Sequence, residues 1–332
     1  MWHTTDFENK LKECLVTKLG TERGNSKYIE YASLRDSMIQ DGALSGIKVS
    51  EPGLTDHSES HISDVMSRVY KLLGESPEKW LTHSEFYILA LMILFHDAGN
   101  IYGRTNHEEN AAKVYGYFKG QNQNRQERLL LIKGVAAHSG FGSNGTKDTL
   151  KDLDNVASLN GDRIRLQELA ALLRFGDELA EGPQRTSEFM LDQDLIKEES
   201  VIYHQYAKIT DIFIDRNLER VSLTYHIDID KDNFSKNELE ELLEFIYGRI
   251  FKLDVERRYN KNYSELLQPF KKTAAEINFY MNGCLLNEIE VSKLELLDRF
   301  PVPNSENIDN LSEISNHFSS EKIIAQIQSL IS

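Results

Sequence analysis

The chain has 332 residues, of which 40% are hydrophobic and 27% charged, an ordinary globular composition with room for about two domains of ~100–200 residues each. No apolar run approaches the ~18–20 residues that span a bilayer, and the opening MWHTTDFENKLKECLVTKL lacks the basic start and unbroken apolar stretch of a secretion signal, so a cytoplasmic protein is expected. The net charge of −15 repels a long phosphate polyanion, which argues against duplex nucleic acid as a partner but leaves small phosphate esters open.

In chain order, residues 1–54 read as one amphipathic helix, about Phe7–Leu19, and a connection rich in Gly and Ser. Cys14 and Cys284 form no CxxC pair and read as reduced thiols without a metal role. Residues 55–199 read as a helical domain. Ile62, Val65, Met66, Val69 and Leu72 recur at helical spacing, and Phe86, Leu89, Ala90 and Ile93 do so in the next helix. Asn106 with Glu109 has the pattern of a capping box opening a helix that Gly120 ends. Leu129–Ala137 and the strongly apolar Ile164–Leu179 are two further helices. Between them lies the polar stretch Phe141–Asp162, long enough to be functional, as a lid for example. Residues 200–332 read as a smaller α+β region. Val221, Leu223, Tyr225, Ile227 and Ile229 alternate with polar residues as in a half-buried strand, with Lys208–Asp215 as a hairpin partner. Ser235 and Glu238 open a helix to about Leu253. A further helix is expected over roughly Tyr263–Tyr280, and another from about Asn307 onward. The fold class expected is therefore mainly α: a helical bundle core followed by a β-hairpin with helices.

Within the core, LALMILFHDAGN is an apolar helix that ends in His96–Asp97 and stops at Gly99. Adjacent helical residues diverge by about 100°, so both can serve one centre only near a helix end. A buried Asp97 calls for a cation, and its carboxylate can bridge two; an exposed helix terminus would also accommodate the pair. His57 and His61 are four apart and share one face of the first core helix, with His61 the better ligand and His57 an outer partner. His107 and His138 sit in the first and last turns of their helices, where surface histidines are common. Asp177 interrupts an apolar helix and needs a partner, either a metal or Arg174 or Arg185.

The order His61, His96–Asp97, His107, His138, Asp177 resembles the HD-domain phosphohydrolase superfamily, a helical fold with a His … His-Asp … Asp signature. Some of its members add two intervening histidines and hold two metal ions. TDHSESHISDV, FHDAGNIYGR and LLRFGDELAEGPQR resemble its ligand-bearing segments, and the likeness covers about Thr55–Arg185. The spacing is similar to that of the dinucleoside-polyphosphate hydrolase branch and of HD domains in bacterial conflict systems. The resemblance implies one metal held by His61, His96, Asp97 and Asp177, and a second by His107 and His138 with Asp97 bridging. Nitrogen and oxygen ligands without thiolate suit Fe, Mn, Co or Ni better than Zn, with Mg also open.

The function expected is hydrolysis of a nucleotide or nucleotide-derived phosphoester by a metal-activated water. The alternatives are a deoxynucleoside triphosphate triphosphohydrolase, or a nucleotide-sensing module with a regulatory C-terminal region. Asp97 is placed in the catalytic centre and His57 beside it, with Glu178 and Glu181 as further outer partners. Arg104 and Arg185 are candidates for phosphate contact, and Tyr102 and Phe141 for stacking on a base. The amphipathic C-terminal helices offer a surface for homo-oligomerisation.

Overall fold

The computed structural model describes residues 2–120, 124–142, 145–289, 291, 293–298 and 318–331. The chain divides into two compact units, Met1–Ala180 with Asn260–Gln268, and Glu181–Tyr259 with Pro269–Ser332. The first 54 residues fall within the first unit.

That unit is helical, with α1 (Asp6–Leu19), α2 (Thr21–Gln40), α3 (Glu59–Leu73), α4 (His83–Phe95), α5 (His107–Lys119), α6 (Arg125–Ala136) and α7 (Leu166–Glu178). Its centre is α4. Every residue from Ser84 to Phe95 is buried, as expected of a helix that is apolar all round, and α1, α3, α5, α6 and α7 pack against it. Phe7 meets Phe86 edge-to-face at 4.7 Å and Phe95 meets Tyr115 at 5.4 Å. A capping box between Thr82 and Glu85 starts α4, and Arg165 clasps the same Glu85 through Nε at 2.7 Å. The segment Asn260–Gln268 is tied to α7 by Ser264 Oγ and Leu266 N, which donate to Glu168 Oε1 at 3.3 and 3.1 Å.

Several local expectations are corrected here. The connection after Leu19 is the 20-residue helix α2. Its buried face is sparse, with Tyr31, Leu34, Arg35 and Met38, so apolar periodicity is faint. At its start a Cβ on Gly24 would stand 2.5 Å from Val16 Cα, so only glycine lets α2 cross α1 this closely. The capping box expected at Asn106 does not form: Asn106 has φ 55° and makes no side-chain cap. Ile164 belongs to a short antiparallel hairpin, β1 (Ala157–Leu159) and β2 (Asp162–Ile164), joined by Asn160 and Gly161, both at positive φ. His57 precedes α3, whose N-cap is Ser58, so it does not share a helical face with His61.

The second unit holds α8 (Glu198–Ile209), α9 (Lys236–Lys261, its last two residues assigned to the first unit) and α10 (Ser320–Ile331), with a mixed five-stranded sheet. The strands are β3 (Thr210–Asp215), β4 (Arg220–Asp228), β5 (Lys272–Met281), β6 (Cys284–Leu285) and β7 (Leu294–Leu297). β3 and β4 form the expected hairpin, and β4 pairs in parallel with β5 after the crossover that carries α9. β5 corrects the helix expected over Tyr263–Tyr280. Thr273, Ala275, Ile277 and Phe279 alternate inward, the period of a strand and not of a helix. The tail is helical over Ser320–Ile331 with Ile323, Ile324 and Ile327 buried; the part expected to be helical before residue 318 lies outside the described residues.

Arg257 of α9 is fully buried, and each of its three nitrogens has a partner. Its guanidinium donates to Thr273 Oγ1 (2.9 Å), Phe270 O (2.9 Å), Asp298 Oδ1 (2.5 Å) and Asp254 Oδ1 (2.7 Å), tying helix to strand. Removing this guanidinium leaves Asp254 Oδ1, Phe270 O and Asp298 Oδ1 without their donor, and Asp254 keeps only the partly exposed Arg258, whose Nε donates to Oδ2 at 2.9 Å. Arg257→Leu is therefore expected to destabilise the unit by about 3–5 kcal/mol. Urea denaturation followed by circular dichroism measures this, and a loss below about 1 kcal/mol would contradict it.

Candidate metal centre

The end of α4 creates the site. The helix stops at Phe95 with His96 as its C-cap, and Asp97 begins the 3₁₀ turn Ala98–Tyr102. This change of winding turns two adjacent side chains toward one point. His61 comes from the first turns of α3, His107 opens α5, His138 follows α6, and Asp177 lies in the last turn of α7. His61, His96, Asp97, His107 and His138 are all buried, and the side chain of Asp177 is 27% exposed.

The two oxygens of Asp97 face different partners. Oδ2 stands 3.3 Å from His96 Nε2, 3.6 Å from His61 Nε2 and 3.7 Å from His57 Nε2. Oδ1 stands 3.4 Å from His107 Nε2 and 3.7 Å from His138 Nε2. Asp177 Oδ1 completes the first set, 3.0 Å from His61 Nε2 and 3.5 Å from His96 Nε2. It pairs with these imidazoles and not with Arg174, which donates instead to Thr149 Oγ1 at 3.0 Å. Two groups therefore have donor atoms all within 4.8 Å of one another, His61–His96–Asp97–Asp177 and Asp97–His107–His138. The imidazole rings form a continuous arc, His57–His61–His96–His138–His107, with neighbouring centroids 5.3–5.4 Å apart.

These residues fit divalent cations. Nδ1 of His96 donates to Ile93 O at 2.8 Å and Nδ1 of His107 to Arg104 O at 3.1 Å. His138 donates likewise to Val135 O, and His57 to Thr55 O. A carbonyl only accepts, so each Nδ1 carries a hydrogen and each ring turns its Nε2 to the cluster, the nitrogen whose lone pair a cation would take. His61 and His96 bring their Nε2 atoms to 3.4 Å from each other. Lone pairs and carboxylates facing one another repel unless a cation lies between them. Donors held about 2.0–2.2 Å from one centre are themselves about 3.0–3.5 Å apart; the separations here run from 3.0 to 3.7 Å, within or just beyond that spacing.

Without a cation, protons take that place. Burial pushes the Asp97 and Asp177 carboxyls up, but the imidazoles around them prevail and hold both well below the ordinary carboxylate range. Burial pushes His96 down, but Asp97 and Asp177 prevail and hold it well above the ordinary histidine value. Metal-free His96 therefore carries a proton at neutral pH that an incoming cation must displace, while the acids stay ionised. Cation affinity is expected to rise with pH through neutrality, by about tenfold per unit for each proton displaced. Competition titrations at about pH 6, 7 and 8, with proton release recorded, test this; affinity independent of pH would contradict it.

Asn100 is a site residue that the sequence marked only as part of the helix end. It is fully buried, and its Nδ2 donates to Asp97 Oδ1 at 2.9 Å. The carboxylate accepts only, so this bond fixes the amide orientation and holds Oδ1 toward His107 and His138. Its place three residues after Asp97, in a turn that closes back on it, is the one signal that could have marked it. His57, though outside both groups, stays beside Asp97. Arg104 is exposed, and its backbone N donates to Glu51 Oε1 at 2.8 Å. Tyr102 and Phe141 are exposed rings. Arg185, in the turn Pro183–Arg185, and Glu181 are buried residues of the second unit. Of the loop after His138, residues 143 and 144 lie outside the described residues.

A helical bundle that gathers histidines and aspartates from five segments around one shared carboxylate is an HD-type domain, with a cluster that could hold metal ions. The chain belongs to the HD-CE family, whose model matches residues 51–252, more than half of its length. The match runs beyond the likeness read from Thr55–Arg185, through the β3–β4 hairpin and into α9. No curated protein and no solved structure matches the chain at a significant level. Among the described residues, no single helix is long and apolar enough to cross a membrane.

Proposed function

We propose that the protein is a metal-dependent phosphohydrolase that cleaves a nucleotide or nucleotide-derived phosphoester. The observation that supports this most directly is the division of Asp97, one oxygen toward His61 and His96 and the other toward His107 and His138. A carboxylate so placed suits a pair of divalent ions, with Fe, Mn, Co or Ni favoured by the nitrogen and oxygen donors. Such a pair supplies a hydroxide nucleophile near neutral pH and neutralises charge on phosphoryl oxygens. The chain's own contribution is preorganisation. Backbone carbonyls at Ile93, Arg104 and Val135 fix three ring orientations, Asn100 fixes the Asp97 carboxylate, and the apolar helix α4 keeps bulk water from the buried side. Arg104 serves in this reading as a donor to substrate phosphate. The net charge of −15 favours a small substrate over a long nucleic acid.

The test is a screen of cyclic, dinucleotide, polyphosphorylated and deoxynucleoside triphosphate substrates with Mn, Ni, Co, Fe and Mg, using Asp97→Ala as control. Metal-dependent hydrolysis that the substitution abolishes supports the reading. Activity that survives it, or protein that takes up no metal from any of these salts, overturns it.

A further inference from the structure

The two halves of the centre are not equivalent. One offers His61, His96, Asp97 Oδ2 and Asp177, with His57 Nε2 also 3.7 Å from Oδ2. The other offers only His107, His138 and Asp97 Oδ1. The shared carboxylate is itself uneven, because Asn100 Nδ2 at 2.9 Å occupies one lone-pair direction of Oδ1, and among the described residues no amide is bound to Oδ2 in the same way. In addition, Ser139 Oγ lies 3.4 Å from His107 Nε2. A hydroxyl donating there competes for the lone pair that a cation would use. The first half also holds two carboxylate groups against the second half's one shared oxygen, so it meets a dication with more negative charge.

We propose that the centre takes up divalent cations in two steps of unequal affinity: His61–His96–Asp97–Asp177 is the retained pocket, and His107–His138–Asp97 is the exchangeable one. This rests on the reading that the cluster binds metal and goes beyond it by assigning the order. A protein filled only in the first pocket is then a stable species, and the supply of the second cation sets the fraction of binuclear centres. Four protein donors leave an ion fewer exchangeable positions than three do, so the three-donor pocket has more room for water or a phosphoryl oxygen. Activity of the proposed kind follows the second equivalent and not the first.

Manganese titration of metal-free protein, with free Mn²⁺ counted by electron paramagnetic resonance, reads the two steps without any substrate. The expected isotherm has two equivalents whose dissociation constants differ by at least about tenfold. His107→Ala and, as an independent second variant, His138→Ala are each expected to lose the weak equivalent and keep the tight constant within about twofold. Circular dichroism verifies that each is folded. Asp177→Ala is expected to weaken the tight step. Two equivalents with indistinguishable constants would overturn the assignment, as would loss of the tight equivalent in both folded histidine variants. Absence of any manganese, iron, cobalt or nickel binding would overturn the metal reading itself, a separate outcome.

Discussion

Asp97→Ala is expected to leave the protein folded, unable to hold cations in either pocket, and at least about a thousandfold less active in any hydrolysis it catalyses. The size follows from geometry. Asp97 is the one residue common to both donor groups, so its loss removes an anionic donor from each pocket at once. Two cations acting on a phosphoryl group supply several kcal/mol of transition-state stabilisation, and each 1.36 kcal/mol is about tenfold in rate. Asp97→Asn should be nearly as damaging, because an amide keeps the shape but not the charge that offsets two dications. Asn100→Ala separates holding from orienting. It leaves every ligand in place and removes only the bond to Oδ1, so a loss of about 10–100-fold in metal affinity or activity is expected, the usual effect of removing a ligand's supporting hydrogen bond. Elemental analysis of the purified variants, beside the rate with the best substrate of the screen, distinguishes the three. Full metal content in Asp97→Ala would remove the basis for a shared centre.

What could be read from the residues follows from where their information is local. The clustered residues are most legible at His96, Asp97 and Asp177, polar residues in settings that otherwise exclude them, and least at His107 and His138, which stand at helix ends where histidine is common. His96 and Asp97 end the wholly buried helix α4, and Asp177 follows Leu172, Leu173 and Phe175. The hairpin β3–β4 was legible because its inward and outward residues alternate and its partner is adjacent in the chain. By contrast, β5 reads as helix because Ala274, Ala275 and Glu276 favour helix, and its pairing partner β4 lies across the whole of α9. The inward alternation of Thr273, Ala275, Ile277 and Phe279 is a strand signal that these helix formers mask, and the pairings with β4 and β7 make it decisive. The helix α2 was invisible because its contact with α1 is made through Gly24, a residue that ordinarily signals a break. The β1–β2 hairpin did carry a local mark, the Asn160–Gly161 pair suited to two positive φ values. The division of Asp97 between two sets of imidazoles had none. It depends on the 3₁₀ winding after Phe95 and on Asn100, neither of which spacing reveals.

The same turn sets the second large expectation. Gly99 lies where the 3₁₀ turn passes against the start of α5. A Cβ there would fall inside the van der Waals envelope of the His107 carbonyl oxygen and 2.8 Å from Ala111 N. Both obstacles are backbone, so no side-chain rotation relieves the clash, and either the turn or α5 must move. Gly99→Ala is therefore expected to act as an overpacking mutation of about 1–3 kcal/mol or more, visible as a lower midpoint in thermal or urea denaturation. The functional effect should be larger than the stability loss. Moving the first turn of α5 moves His107, whose Nε2 must stay near Asp97 Oδ1, and binding geometries fail at displacements of about 1 Å. Cation binding by His107 and His138 should then fall while His61, His96 and Asp177, on other helices, keep theirs. The manganese titration measures this in protein that is still folded, below its unfolding midpoint. If Gly99→Ala lowered stability but left both manganese equivalents intact, α5 would have to absorb the methyl group without carrying His107 away, and the close approach at Gly99 would concern packing alone.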